Sequence, residues 1–394
     1  MSRQSWMTNG TVDSIRPVAR KAASEAWPRV GFLFVCFAFL GMNHAVFAQS
    51  DSTPSWLRER MAIRVSPRRD SPEMLRLVRP VTERLRGSVV SVICGERTVS
   101  LGTVVDARSA RSGFTISGAQ TGYGTELSPN VHFVVTKRSE LTSDPIRVRL
   151  ADGRMLPARI GSVRKRSDLA LLVLRADSPA SVDSLQPVVF ATEVPAIGDF
   201  LVTPGRSGRV AGLGVTGTRP LRVEHEVRLG VMFRTEPTVG ALINRVYPGS
   251  GAARAGVQLG DRIVAIDGQQ HSNSDMVRAT LKDMFPGDVV QLTIERDGNT
   301  LDVQARLQDL SMLQESENDA RVNGPRNARL SGFDSVIQHD TVLSPQQCGG
   351  PVLSLQGQVV GLNIARAGRV VSYALPASLV ANEVAGMISE ARTE

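Results

Sequence analysis

Aromatic side chains are scarce, 5% of 394 residues, and nowhere do they interleave with basic residues to make the stacking, charged stripe that nucleic acid needs. Nucleic acid is thereby set aside as a partner. Charge of either sign is in no great excess, with 46 Lys and Arg against 38 Asp and Glu. Five basic and two acidic residues fall within residues 1–48, leaving 41 minus 36, or +5, on the remainder. An excess that small and scattered reads as solvated surface. Cysteine is nearly missing: only Cys36, Cys94 and Cys348 are present. An oxidising compartment permits a disulfide between Cys94 and Cys348, but nothing in their spacing demands one. No metal and no cofactor are expected. Histidine is sparse too: beyond His44 there are only His132, His225, His271 and His339. What is abundant is ordinary for a folded protein, 42% apolar and 21% charged residues, which excludes wholesale disorder and allows two or three domains.

The N-terminus reads as an address. Arg16, Arg20, Lys21 and Arg29 precede an apolar run from Val30 to Met42, and Val46 and Ala48 place small residues before a cut at Gln49. Residues 1–48 are therefore expected to be a signal peptide; an uncleaved single-span anchor is the alternative, for which the run is short. Residues 49–70 are polar and Arg-rich and read as a linker. Ser71-Pro72 then supplies a cap and a first-turn proline for a short helix that Pro80 is expected to interrupt. From Ser88 onward short β-branched runs alternate with turn residues: 88–94, 102–106, 133–136, 146–150 and 169–174. They predict an antiparallel barrel, with 107–131 as an exposed loop. A second strand-rich set starts at Pro187. It is broken at residues 221–307 by a different module with a helix expected over 274–284, then by a polar, loose stretch 308–332. Strands resume at Phe333 and end near Leu379, before a short C-terminal helix.

The chemistry sits in four segments. Asp340 to Pro351, ending Pro345-Gln346-Gln347-Cys348-Gly349-Gly350-Pro351, resembles the nucleophile segment of the trypsin-like HtrA serine proteases. Phe133 to Leu141 resembles the strand and turn that carry that family's histidine. Arg166 to Leu172 resembles its aspartate segment, and Gln358 to Asn363 with Tyr373 to Pro376 its closing strands. Order and spacing agree over 72–220 and 333–385. Carried across, the resemblance places Ser139 at the histidine position, Asp168 at the aspartate position and Cys348 at the serine position. A serine hydroxyl accepts no proton near neutral pH, so the acid–base relay of the triad is missing. Cys348 is intrinsically nucleophilic as a thiolate, yet none of the remaining histidines is placed to activate it. The oxyanion hole, carried across to the N–H groups of Gln346 and Cys348, has glutamine where the family has glycine, and a non-glycine residue turns that N–H less freely. Without catalysis, Asp168 has the role of accepting the Ser139 hydroxyl, and Cys348 that of a small apolar filler.

Within the interrupting module, Arg228-Leu229-Gly230-Val231, Gly240 to Ile243, Ala252 to Val257, Gly260-Asp261 and Asp267-Gly268 resemble the landmarks of a PDZ domain over 223–307. The resemblance implies that the Leu229-Gly230 loop takes a peptide C-terminal carboxylate. The peptide would add a strand beside Val231 and Phe233, with Arg228 adding charge and Val277 and Leu281 flanking the groove, at least one of them as core. The expected architecture is mainly β: two antiparallel six-stranded barrels, residues 71–220 and 333–394, with a PDZ domain inserted in the second. The expected function is binding of peptide C-termini or unfolded proteins in the cell envelope or periplasm by a non-proteolytic relative, a scaffold, chaperone or regulator in protein quality control. The alternative is an endopeptidase using Cys348. The family resemblance implies a homotrimer, although the sequence itself does not fix the oligomeric state.

Overall fold

The computed structural model describes residues 71–107, 109, 131–175, 182–234 and 240–393. The expected leader, the linker 49–70 and nearly all of the loop 107–131 lie outside the described residues. The first helix, α1 (Pro72–Glu83), starts where Ser71 accepts a hydrogen bond from the Met74 N–H at 3.3 Å, satisfying one of the donors that a helix start leaves free. Contrary to expectation, Pro80 does not interrupt it; it falls in the last turn, where its missing N–H removes a single ladder bond. The Thr82 hydroxyl donates to the Gly208 carbonyl at 2.7 Å and fixes the helix against the loop 205–209.

Six strands follow: β1 (Val89–Cys94), β2 (Arg97–Val105), β3 (Val131–Lys137), β4 (Ile146–Arg149), β5 (Met155–Arg164) and β6 (Leu169–Arg175). They close as a barrel in the order β1-β2-β3-β6-β5-β4. Alternate residues of these strands, among them Val90, Val92, Val104, Val134, Val148, Leu172 and Leu174, turn inward and form its core. β5 was not expected, because Pro157 and Gly161 both speak against a strand. The ladder tolerates them. The register shifts at Ile160/Ser162, and Gly161 lies where a Cβ would come within 2.6 Å of the Val173 side chain.

The second sheet collects β7 (Phe200–Pro204), β8 (Val210–Val215), β9 (Leu221–Val223) and, after the insertion, β18 (Phe333–His339), β19 (Pro351–Leu353), β20 (Val359–Arg366) and β21 (Ser372–Pro376). Its order is β8-β7-β19-β20-β21-β18-β9, and one bridge between Thr216 and His339 joins the end of β8 back to β18. Residues 221–223 were expected to open the inserted module. They belong instead to this sheet, where Val223 pairs with Phe333 and Leu221 with Val336. The C-terminal helix is longer than expected, 17 residues from Ala377 to Thr393, because Val380, Ala381, Val384, Met387 and Ile388 bury a continuous stripe on the large core beneath β20 and β6.

The inserted module leaves from β9 and returns to β18. It contains β10 (Val227–Arg228), β11 (Val231–Phe233), β12 (Ala241–Val246), α2 (Gly251–Arg254), β13 (Arg262–Ile266), β14 (Gln269–Gln270), α3 (Ser274–Lys282), β15 (Val289–Arg296), β16 (Asn299–Arg306) and β17 (Gln308–Asp309). A sheet of order β11-β12-β13-β15-β16 carries its own core, and β17 pairs back on β10. The stretch 308–332, expected to be loose, is built: α4 (Leu310–Gln314) and α5 (Glu317–Asn323) follow β17, and Asn327 and Arg329 beyond them are fully buried. All of these elements belong to one compact unit, 62–394, and among the described residues no helix is long and apolar enough to cross a membrane.

Gly251 brings α2 against β16 so closely that an added Cβ would stand 1.8 Å from the Arg306 carbonyl oxygen. Gly251→Val is therefore expected to cost about 1–3 kcal/mol through overpacking, read as a lowered urea midpoint by circular dichroism. An unchanged midpoint would contradict this packing.

Candidate functional site

The site forms where β3 ends. A single 3₁₀ turn, Arg138–Glu140, follows the strand and buries Ser139. Beside it the turn before β6 puts Asp168 at φ 58°, a left-handed conformation uncommon outside glycine. Hydrogen bonds hold it there. The Asp168 Oδ1 accepts the Ser139 N–H at 2.9 Å, its Oδ2 accepts the Ser139 hydroxyl at 2.8 Å and the Lys137 Nζ at 2.5 Å, and its carbonyl accepts the Arg138 N–H at 2.8 Å. Lys137 and Asp168 are both fully buried. Burial pushes the carboxyl upward, but the charges of Lys137, Arg329 and Arg138 and the hydrogen bond from Lys137 outweigh it, leaving Asp168 below its ordinary range.

Arg329 is the second buried cation. Its guanidinium lies between the rings of Phe285 and Phe333, 4.1 and 4.6 Å from their centroids, and donates to the carbonyls of Ser331, Lys165, Arg166 and Gly332. Burial draws its pKa down to about 10, against the attraction of Asp168, which still leaves it charged at neutral pH. Neither Lys137 nor Arg329 was read from the sequence. Lys137 ends an apolar strand and reads as surface, and Arg329 lies in a stretch with no apolar period.

Among the described residues no hydrogen bond joins Cys348 to Ser139. Its thiol donates to the Asn327 Oδ1 at 3.1 Å, and the same oxygen accepts the Arg366 N–H at 2.7 Å. The other end of the Asn327 amide donates to Glu140 Oε1 at 2.9 Å and to the Pro345 carbonyl at 3.2 Å. Asn327 therefore caps the sulfur, with both ends of its side-chain amide bonded. Complete burial pushes the Cys348 thiol up to about 12, with nearby Lys137 lowering it too little to matter, so the thiolate is absent at neutral pH. Cys94 is buried as well, and both cysteines are free.

Gln346 is exposed on a 3₁₀ turn, Pro345–Gln347, and the Cys348 N–H turns inward to the Pro345 carbonyl at 3.2 Å. That N–H is spent on the chain itself and cannot meet a developing oxyanion. Among the described residues no histidine compensates. His339 bonds the Thr341 hydroxyl at 2.7 Å, and burial holds its pKa near 4. His271 bonds Thr280 and the Gln269 carbonyl, His225 packs on the Phe285 ring, and His132 lies back along β3.

The inserted module covers what remains. Arg138 pairs with Asp288, the Arg306 guanidinium donates to the Ser139 carbonyl, and a Cβ on Gly287 would stand 2.8 Å from the Ser139 Cβ. The turn between α3 and β15 therefore rests on residue 139, and the missing Cβ of Gly287 is what lets it approach.

The module also has a groove of about 740 Å³ lined by Leu229, Gly230, Val231, Phe233, Arg278 and Leu281, among others, and by Leu310 and Leu313 of α4. β11 is an edge strand there. Gly230 has φ 89°, and the N–H groups of Leu229 and Gly230 donate to no acceptor among the described residues. Arg228 lies at the groove, exposed, with its guanidinium on the Val227 carbonyl at 2.8 Å. Of the two helix residues expected to flank the groove, Leu281 lines it, whereas Val277 is fully buried in the module's core, one turn around the helix.

The family model "PDZ domain" matches residues 227–307. Among curated proteins, the chain is 33% identical over 95 residues to the periplasmic pH-dependent serine endoprotease DegQ of Escherichia coli (24% of this chain, 20% of that protein), and 31% identical over 119 residues to the periplasmic serine endoprotease DegP of the same organism (30% and 24%). The matches thus span about a fifth to a quarter of those relatives. Among solved structures, the inactive form of Rv3671c from M. tuberculosis H37Rv aligns at 14% identity and TM-score 0.38 over 80% of this chain and 96% of that one. The serine endoprotease from Yersinia pestis aligns at 15% and 0.25 over 59% and 98%.

Two expectations follow. Native protein should leave Cys94 and Cys348 unmodified by iodoacetamide at pH 8, and urea-unfolded protein should expose both, read by intact-mass spectrometry; rapid native labelling of Cys348 would contradict the sealed site. Because Asp168 is depressed in the folded state, its contribution to stability is present above the unfolded value of about 3.9 and is lost as pH falls through the lower folded value. Asp168→Ala should cost about 3–5 kcal/mol at pH 7 by stranding buried Lys137 and should flatten the acid limb of a stability–pH curve; a steep limb in the variant would assign it to other groups.

Proposed function

We propose that this chain, an HtrA-type serine protease homologue with a PDZ domain, binds the C-termini of peptides or unfolded proteins in the cell envelope and does not cut them. The observation that carries this reading is the contrast between its two sites. Asn327 occupies the approach to Cys348, and the base position holds Ser139 under the PDZ turn. The PDZ groove, in contrast, is open, with an edge strand and two N–H groups left without acceptors among the described residues at the Leu229-Gly230 loop. Backbone N–H groups turned outward at such a loop suit a terminal carboxylate, and an edge strand suits an added peptide strand.

The periplasmic location of the DegP and DegQ relatives and the basic, apolar, small-residue order of residues 16–48 support export. Acting without proteolysis, such a protein holds clients or partners as a scaffold, chaperone or regulator, and a homotrimer is the assembly proposed by family likeness.

Calorimetric titration of the full chain tests the reading. A decapeptide with a free C-terminus is expected to bind at least tenfold more tightly than its amidated form, because amidation removes the charge that the loop receives. Equal affinity of the two, or none, would overturn it.

A further inference from the structure

The groove carries more information than its loop. None of its lining residues is acidic, whereas Arg228, Arg278 and Lys282 all face it. The Arg278 guanidinium lies over the Phe233 ring, 5.4 Å from its centroid, and its other contacts are to Asp275 at 2.7 Å and Ser274 at 3.3 Å on the exposed side of the same helix. The Asp275 side chain is 86% exposed, so water can replace that partner at little cost. Lys282, one turn further along α3, has no carboxylate partner among the described residues. Arg245, on β12 opposite Met232, stacks over Tyr247, another lining residue, at 5.0 Å.

The register fixes where this charge falls on a ligand. A peptide that leaves its carboxylate at Leu229-Gly230 and runs antiparallel along β11 sets its last residue beside Val231 and its third-from-last beside Phe233, two residues on. Both side chains point to the same face, since strand side chains alternate. Arg278 stands over Phe233 and therefore over the third-from-last position. α4 adds Leu310 and Leu313 as a further wall, which narrows the groove around those last residues.

Resting on the peptide-binding reading above, we propose that this groove selects C-termini with a carboxylate side chain at the third-from-last position, held by Arg278 with Lys282 behind it. Fluorescein-labelled decapeptides, identical except for Glu, Gln or Lys at that position, and the Glu peptide amidated at its C-terminus, are titrated against the full chain by anisotropy. Glu is expected to bind roughly tenfold more tightly than Gln, the difference of one charge-assisted hydrogen bond, with Lys weaker again and the gap narrowing in high salt. Arg278→Glu is expected to reverse the order of Glu and Lys, and the milder Arg278→Gln to abolish the preference for Glu over Gln. If the three free-acid peptides bind alike while the amidated peptide does not, the charge selection is wrong and the PDZ reading stands. If the amidated peptide binds as well as its free acid, or no peptide binds, both fall.

Discussion

Asp168 holds a full negative charge out of contact with water, a state that in isolation costs many kcal/mol. It is sustained by Lys137 at 2.5 Å, by two hydrogen bonds from Ser139 and by the field of Arg329. They come from two parts of the chain. Lys137 and Ser139 come from the end of the first barrel, and Arg329 from the strap that links the PDZ domain back to the second sheet. The ion cluster therefore joins barrel and strap around one carboxylate. A pair-wise buried bridge contributes little over an apolar replacement, but loss of one member leaves an uncompensated charge. The cluster thus specifies one arrangement of the parts more than it adds stability.

The strap's position follows from that arrangement. With Arg329 held between Phe285 and Phe333, Asn327 two residues earlier reaches Cys348, and Arg366 on β20 takes the carbonyls of Asn323 and Pro325. The PDZ turn at Gly287 and Asp288 then closes over Ser139. Residue 139 thereby links chemistry to assembly. The Ser139 side chain runs toward Asp168, while the missing Cβ of Gly287 lets the PDZ turn lie against the Ser139 Cβ, so the base position and the seat of the inserted module share one residue.

Much of this was legible in the sequence, and the limits have physical causes. Short β-branched runs gave most strands of the barrel and of the second sheet, and the PDZ landmarks gave the module, because turn glycines and alternating apolar residues are local signals. Ser139, Asp168 and Cys348 were found by their flanking motifs, and the Ser139 to Asp168 hydrogen bond was expected from their positions. β5 escaped because Pro157 and Gly161 mask its pattern. The strap 308–332 was read as loose because its buried members, Asn327 and Arg329, are polar, and polar residues are buried by partners distant in sequence. Spacing alone could not tell Val277 from Leu281: they sit one turn apart on α3, both belong to the module's core, and only the packing brings Leu281 to the groove as well.

In the molecule that results, Ser139, Asp168 and Cys348 lie buried at an internal joint, while the groove of the inserted module stays open to solvent. The central claim is that no peptide bond reaches Cys348. Mass spectrometry of unfolded casein after prolonged incubation with the protein tests it most directly. The account predicts intact casein with the unaltered chain; casein fragments that vanish with Cys348→Ala would contradict it.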